Sequence, residues 1–592
     1  MAVFNLQAAE GLRVSSRGGS AQNPRFRSEW IFEISSRYNA PVTKKIPAAL
    51  WFGLLPVLLG LPFIGRAYFV DDHYHLLMAR GLLEHPARPY DFIADDAGVD
   101  NVGWERGQPP RMVNPPLHHY LLALFWKFTG GRLWAVRLLS LFVSGAAIVF
   151  LYLLAQRFAV PPGPAAALAA LTPAFWLSSH ALLIDSTMLV FFLGGLWGWF
   201  EGLRRRSAGW LIFAGTFMGL AIVTKYTAAT VVPLAGLLWW FDRESGRRPA
   251  RLAALAIPFV VLGLWSFWNI ATYGAVHLTE SSKRVMQSFA WSHILVFLAF
   301  FSGVFLLPMG TWGGVVRSRK FRLWILLAAV FLTWFLSSPF GGFSPFQSFF
   351  MAVLVVGGAA FFIESGRTAL LSRFPLDVFL WLWLLSASLQ MIYVMQWVAA
   401  RYFLTLLPPV VFLTLRRWGE DLKLFPQRRG RRLAGWVGAL AVAGGALGLA
   451  DYLQAETGRW IIRDVAAAGW LTHGRTGYFL GDSFTGSDLK DAGWKPAFES
   501  TIFRPGDLLL RSEVIMPRWW FNPRGLRPLA RYEYPWRFPL RVMDNLGAAG
   551  FYASAWGALP YTLSKEPLDR YTLFEVVATS VPAAPPGARP RR

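Results

Sequence analysis

The run Asp71-Asp72-His73-Tyr74-His75 sets two carboxylates and two imidazoles just beyond an apolar stretch, Ile46–Ile64. Roughly 20 apolar residues cross a bilayer, so the acidic pair emerges where hydrocarbon gives way to water. Ionisable groups held at that boundary need a partner or a task. A carboxylate there can take the proton of an attacking hydroxyl. Three later positions offer the complementary groups: Asp185, Lys225 and the pair Arg401-Tyr402, each at the end of an apolar run. Ammonium, guanidinium and phenol groups hold a phosphate that departs with growing negative charge. A lipid phosphate leaves readily and needs no general acid. The chemistry expected of this set is sugar transfer from a polyprenyl-phosphate donor to a hydroxyl acceptor, with the apolar bulk as a socket for the lipid tail.

Such a site exists only if its parts share one side of a membrane. The chain has 592 residues, 55% of them hydrophobic and 16% charged, with a mean hydropathy of +0.39. Soluble chains carry nearer a quarter of charged residues, so the expected fold class is a mainly α membrane protein. After Ile46–Ile64, apolar runs fall near 134–156, 163–183, 187–203, 209–224, 228–241, 252–271, 291–309, 323–337, 346–363, 375–396, 403–415 and 433–450. Together they suggest about thirteen transmembrane helices. Alternate gaps are rich in arginine: Arg157, Arg204-Arg205-Arg206, Arg247-Arg248, Arg317 to Arg322, Arg367 and Arg373, and Arg416-Arg417. Loops rich in Lys and Arg stay inside. With Lys44-Lys45 before the first span, the N-terminus is expected inside. The other gaps hold Asp185, Lys225, Lys283-Arg284 and Arg401 and are expected outside, beside Asp71 and Asp72.

The domain reading follows from this alternation. Residues 1–45 form a cytoplasmic tail, and 46–450 a transmembrane catalytic domain with an extracytoplasmic loop at 71–133. Residues 451–580 form a small extracytoplasmic α/β domain, with β-like runs at Gly477–Leu480, Asp507–Val514 and Tyr571–Ala578; 581–592 is a disordered tail. Within the loop, His73–Leu83 and Leu117–Phe128 are amphipathic and are expected to lie along the outer surface as helices. The second follows Asn114-Pro115-Pro116, and proline suits a first helical turn.

Several function classes drop out. The net charge of +24 would suggest nucleic acid in a soluble domain, but the basic residues fall in short runs between apolar segments and no basic fold motif accompanies them. The absence of cysteine removes disulfides, thiolate metal sites and thiol nucleophiles. There is no P-loop and no dinucleotide-binding glycine pattern. His73, His75, His118, His119 and Glu105 are of the types that gather a divalent metal. On helices, however, residues two apart face different ways and adjacent residues form no clamp, so a divalent metal is the disfavoured alternative and no cofactor is expected.

The ordered set Val70-Asp71-Asp72, Ala79-Arg80-Gly81-Leu82-Leu83, Asn114-Pro115-Pro116-Leu117, Leu183-Ile184-Asp185, Thr224-Lys225 and Arg401-Tyr402 resembles the polytopic lipid-phosphate-sugar-dependent glycosyltransferases of the C superfold. The likeness is to family 39-like bacterial members, related to protein O-mannosyltransferases and the aminoarabinose transferase of lipid A. It covers roughly residues 45–420, and the C-terminal domain also looks like those found on this family. The resemblance implies an inverting hexosyl or pentosyl transferase whose base is the first residue of an acidic pair, here Asp71. The second is Asp72 where the family has Glu, so both carboxylates stand as catalytic candidates. Lys225, Arg401 and Tyr402 match positions near the donor phosphate, and Asp185 matches a second acidic position that orients the acceptor or a cation. Asn114 stands where the family often has Lys, leaving Arg106, Arg111 or His118 to supply the missing contact.

The expected partners are therefore a polyprenyl-phosphate sugar, a hydroxyl acceptor on protein, lipid A or another glycan, and membrane lipid. The expected location is the inner membrane, with the site facing the periplasm or cell exterior. A secondary transporter or lipid flippase is the rival reading, but such proteins hold polar groups near the midplane and show related halves. A catalytically inactive envelope scaffold is the third.

Overall fold

The computed structural model describes residues 46–94, 101–102, 104, 110, 112–241, 249–285, 291–311, 327–335, 343–372, 374–423, 429–472, 474–480, 489–490, 492–497, 501–515 and 525–578. The two terminal tails of the sequence reading, and Glu105, Arg106 and Arg111, lie outside the described residues. The chain is mainly helical. Among the described residues, five helices are long and apolar enough to cross a membrane: Leu133–Arg157, Pro249–Tyr273, Pro345–Ser372, Pro375–Val394 and Gly430–Ala467. A sixth span arises if Pro173–Ser179 and Ile184–Arg205, bent by 114° at their junction, count as one. Five shorter apolar helices of 10–17 residues accompany them. The chain is thus built as a multi-pass membrane protein, with fewer full-length spans among the described residues than the thirteen expected. The difference arises because several runs, such as Pro162–Leu171 and Ala208–Ile222, end at a proline or a turn before reaching bilayer length.

Six helices position the site: α1 (Asp72–Glu84), α2 (Leu117–Phe128), α3 (Leu133–Arg157), α4 (Pro173–Ser179), α5 (Ile184–Arg205) and α6 (Arg429–Ala467). α1 and α2 form where the sequence places amphipathic helices. Their apolar faces meet through Leu76, Ala79, Leu82, Leu122 and Ala123, over Val136 of α3. α5 is written with the correct charge at each end. Asp185 lies in its first turn and Arg204 and Arg205 in its last, which complements the positive N-terminal and negative C-terminal ends of the helix dipole. α3 packs closely on the first apolar helix, Ile46–Gly53, because Gly145 has no side chain: a Cβ there would lie 2.4 Å from the Gly53 carbonyl oxygen.

α6 runs unbroken for 39 residues, about 58 Å at 1.5 Å per residue, and crosses the boundary expected at 450. Its far end carries Ile461 and Val465 into a core with Phe479, Leu508, Leu510 and Leu573. The sheet above that core comprises β1 (Gly477–Leu480), β2 (Lys495–Pro496), β3 (Leu508–Ser512), β4 (Leu526–Glu533) and β5 (Arg570–Val576), in spatial order β2-β1-β3-β5-β4. β1 pairs parallel with both neighbours, and β5 antiparallel with both of its own. Gln454, buried on α6, accepts hydrogen bonds from the amides of Val542 and Met543 at 3.0 and 3.1 Å and donates to the Met543 carbonyl. One side chain thus fastens a strand-like segment to the helix.

The charges sort to the two ends of α3 and α5. At one end Arg137 of α3 meets Asp72, and Asp185 opens α5. At the other, Arg157 of α3 pairs with Glu201 of α5, beside Arg204 and Arg205. Asp185 and Glu201 are 16 residues apart, about 24 Å along the helix. Arg416 joins the second group by donating to the Phe158 carbonyl at 3.0 Å.

Candidate active site

Asp71, Asp185, Lys225, Arg401 and Tyr402 meet in one place, although up to 331 residues separate them. Each is delivered at the edge of an apolar element. Asp71 immediately precedes α1, Asp185 is in the first turn of α5, Lys225 follows Ala208–Ile222, and Arg401 and Tyr402 lie in the short 3-10 helix Ala400–Leu406. The charges alternate in a chain. An Arg401 terminal nitrogen is 2.9 Å from Asp71 Oδ2, Arg401 Nε is 3.8 Å from Asp185 Oδ2, and Lys225 Nζ is 2.6 Å from Asp185 Oδ1. Tyr402 presents its ring to both cations, with Lys225 Nζ 4.3 Å and the Arg401 guanidinium 5.1 Å from its centroid. Such contacts favour a desolvated cation. Burial alone would lower the pKa of Arg401, but Asp71, Tyr402 and Asp185 outweigh it and hold the guanidinium above its ordinary range.

The two adjacent aspartates have different surroundings. The Asp71 side chain is 33% exposed. Asp72 is fully buried: its Oδ1 accepts the Leu182 amide at 2.9 Å, and its Oδ2 takes the Arg137 guanidinium at 3.0 Å and the Phe69 amide at 3.3 Å. Leu182 lies in the sharp break before α5, three residues ahead of Asp185. The Asp72 carboxylate therefore sets the spacing between Asp71 and Asp185. It also secures a strained backbone, since Val70 has φ +51°, a left-handed conformation costly for a β-branched side chain. Arg137 adds hydrogen bonds to the carbonyls of Arg66 and Ala67 on the approach to that residue.

Around Asp72 lies a second buried network that sequence reading missed. Arg66 is 2.9 Å from Asp451 of α6 and 3.6 Å from Asp72, and Asp451 accepts the Tyr552 hydroxyl at 2.7 Å with His180 3.4 Å away. A fully buried arginine, Arg137, thus lies inside the long apolar helix Leu133–Arg157. An arginine inside the run 134–156 is itself a signal, because such a group costs several kcal/mol without a partner. Nothing in sequence spacing reveals Asp451 or Tyr552.

His75, His118 and His119 of the loop are interior. His75 Nδ1 is 2.9 Å from His119 Nε2, while His118 has Thr187 Oγ1 at 2.9 Å and the Leu182 carbonyl at 3.2 Å. Burial lowers the pKa of all three, to about 4 for His118, so they are neutral imidazoles. His118 braces the same break that Asp72 holds. Among the described residues no group of three or more histidines and carboxylates is arranged to hold a metal ion. Asn114 accepts a hydrogen bond from the Tyr90 hydroxyl on its backbone carbonyl at 3.1 Å. Tyr90 in turn stacks on His277, 4.6 Å between ring centroids, and His277 contacts the Tyr226 hydroxyl at 2.9 Å, one residue beyond Lys225.

The chain is similar to known glycosyltransferases. Residues 113–269 match the family described as dolichyl-phosphate-mannose-protein mannosyltransferase, a segment that includes Asn114, Asp185 and Lys225. The lipid A galacturonosyltransferase RgtD of Rhizobium johnstonii is 28% identical over 186 residues, which is 30% of this chain and 38% of that protein. Among solved structures, ArnT from Cupriavidus metallidurans bound to undecaprenyl phosphate is 15% identical, with 82% of this chain and 93% of that chain covered at a TM-score of 0.38. The Archaeoglobus fulgidus oligosaccharyltransferase is 12% identical, with 80% and 64% covered at a TM-score of 0.41. The family match and the curated relative carry the same likeness: this chain is similar to the family 39-like glycosyltransferases of the C superfold.

Proposed function

We propose that this protein is an inverting membrane glycosyltransferase that moves a hexosyl or pentosyl group from a polyprenyl-phosphate donor to a hydroxyl acceptor, at the outer face of the inner membrane. The acceptor hydroxyl attacks the anomeric carbon, Asp71 takes its proton, and the bond to the phosphate oxygen breaks in the same displacement. Lys225 and Arg401, braced by Asp185 and shielded by Tyr402, hold the departing phosphate. Asp72 keeps Asp71 and Asp185 in register and does not itself reach substrate. The observation that carries the reading is the convergence of Asp71, Arg401, Asp185, Lys225 and Tyr402, with Asp71 alone of the two adjacent carboxylates open to solvent. A partly exposed base beside two cations suits a reaction that generates a proton and a phosphate at neighbouring atoms.

The test is transfer from a labelled polyprenyl-phosphate sugar by the purified full chain, assayed against panels of protein, lipid A and glycan acceptors. Label should reach a hydroxyl acceptor with wild type and not with Asp71→Asn, while both bind the lipid phosphate. Full activity in Asp71→Asn would overturn the assignment of the base. Transport of the intact lipid without sugar transfer would favour a flippase.

A further inference from the structure

The C-terminal region meets the candidate site through the segment 551–554. The Phe551 carbonyl accepts the Ala400 amide at 2.9 Å, the Ser554 amide donates to the Val398 carbonyl at 2.7 Å, and Ser554 Oγ accepts the Val398 amide at 2.9 Å. Three hydrogen bonds thus seat 551–554 against 398–400, directly ahead of Arg401. The turn is tight, since a Cβ on Gly557 would lie 2.2 Å from the Ala548 carbonyl carbon. Between these anchors sits Tyr552, 2% exposed. Its backbone carbonyl accepts an Arg401 terminal nitrogen at 2.8 Å. Its hydroxyl donates to Asp451 at 2.7 Å and accepts from Arg66 at 3.1 Å, and its ring meets Phe69 edge-on at 5.6 Å between centroids.

Tyr552 therefore joins the two networks. Through its carbonyl it holds the arginine that pairs with Asp71; through its hydroxyl it bonds the arginine 3.6 Å from Asp72. An arginine poised for a phosphate needs one terminal nitrogen fixed while the other, here on Asp71, can exchange its carboxylate for the ligand. A neutral carbonyl does this without competing for the charge, as a third carboxylate would.

We infer that Tyr552 is a positioning residue of the transfer site, through which the C-terminal region sets the orientation of Arg401 toward the donor phosphate. The inference rests on the proposed role of Arg401 as a phosphate contact. It makes the region beyond α6 part of the donor site and not merely a cover.

The experiment is a double-mutant cycle on equilibrium binding of a polyprenyl phosphate to the detergent-purified full chain, which inactive variants can also report. Tyr552→Phe removes only the hydroxyl that fixes the residue, and binding should weaken by about three- to tenfold. Arg401→Gln should weaken it further. The double variant should bind no worse than Arg401→Gln alone, because the tyrosine acts only through the arginine. Multiplying losses, or wild-type binding by folded Tyr552→Phe, would overturn the inference. Unchanged binding in Arg401→Gln would instead overturn the functional reading. If Tyr552→Phe does not fold, Ser554→Ala loosens the same segment at Val398 without touching Asp451, and the same cycle with Arg401→Gln decides.

Discussion

The two ends of α5 each carry a buried carboxylate among cations, and they are built in opposite ways. At the far end Glu201 is met by Arg204 and Arg205 from its own last turn and by Arg157 from the next helix; the Arg204 and Arg205 side chains are 42% and 40% exposed. Two of its three partners are local, three or four residues along the helix, and reach water. At the near end Asp185 is met by Lys225 and Arg401, from elements 40 and 216 residues away in sequence, with side chains 7% and 12% exposed. Burying cations together from distant elements costs desolvation that only fixed partners or a ligand offset. A local, half-wet cluster anchors a helix at an interface, whereas the convergent, dry cluster at Asp185 is the one proposed to receive the donor phosphate.

The largest expected effect separates the two ends directly. Asp71→Asn should lower the rate of sugar transfer by about 10²–10⁴-fold, the range general-base removal gives, with lipid-phosphate binding intact. Glu201→Gln should leave transfer within about twofold of wild type and act on melting temperature alone, chiefly by weakening the pairing with the mostly buried Arg157, about 1.5–3 kcal/mol for a hydrogen bond to a charged group. Transfer rates and thermal melts in the same detergent, measured on both variants, check the contrast; similar rates for the two would erase it.

Next in size is the support beneath the site. Arg137→Met strips a fully buried guanidinium from Asp72, and breaking a buried pair costs about 3–5 kcal/mol. The lower end is expected, because Arg66 stays 3.6 Å from the same carboxylate. The loss should appear in the melting temperature and in the yield of folded protein. Residual transfer per folded molecule should also fall, since Val70 would lose part of what holds it at positive φ. A variant that melts as wild type would show the network to be dispensable.

These residues also show how far the sequence could be read. α2 was legible to the residue, because proline starts it and its apolar positions repeat with helical spacing. Asp185, Lys225 and Arg401 were legible because each is an isolated charge at the edge of an apolar run, and Asp71 because it opens an acidic pair at such an edge; alternating arginine content gave them a common expected side. Which of Asp71 and Asp72 faces solvent was not legible. Adjacent helical residues point about 100° apart, and the absolute phase is fixed only by Arg137 and the Leu182 amide, residues 65 and 110 positions away. Tyr552 was out of reach for the same reason: its partners Arg66 and Asp451 lie 486 and 101 residues from it. No periodicity spans such distances.

The pH dependence sharpens the comparison from the loop side. His118 is neutral in the folded chain until about pH 4 because it is buried, whereas an unfolded histidine takes a proton near 6.5. Between those values the unfolded state binds the extra proton, so stability falls as pH drops from about 6.5 toward 4, at up to about 1.4 kcal/mol per pH unit for one such group. His118→Gln should flatten part of that slope in melts run from pH 7.5 to 4.5. Part of the remaining slope belongs to His75, His119 and His277, all lowered by burial. A slope unchanged by the substitution would mean that the His118 ring is not buried as described.

The smallest effect is expected at the wet end of α5. Arg204 and Arg205 make short contacts to Glu201, at 2.8 and 2.6 Å, and a count of ion pairs would rank them with Lys225 and Arg401. Their exposure argues otherwise, because each guanidinium loses little hydration on pairing and is screened by solvent and salt. Pairs of this kind are worth about 0.2–1 kcal/mol. Arg204→Ala should therefore shift the melt by no more than that and leave transfer unchanged, while Lys225→Ala, at an ion pair of similar length, should strongly weaken lipid-phosphate binding. If the two substitutions proved equivalent in binding, distance would be the guide to function in this chain, and the distinction between local and convergent charge would fall with it.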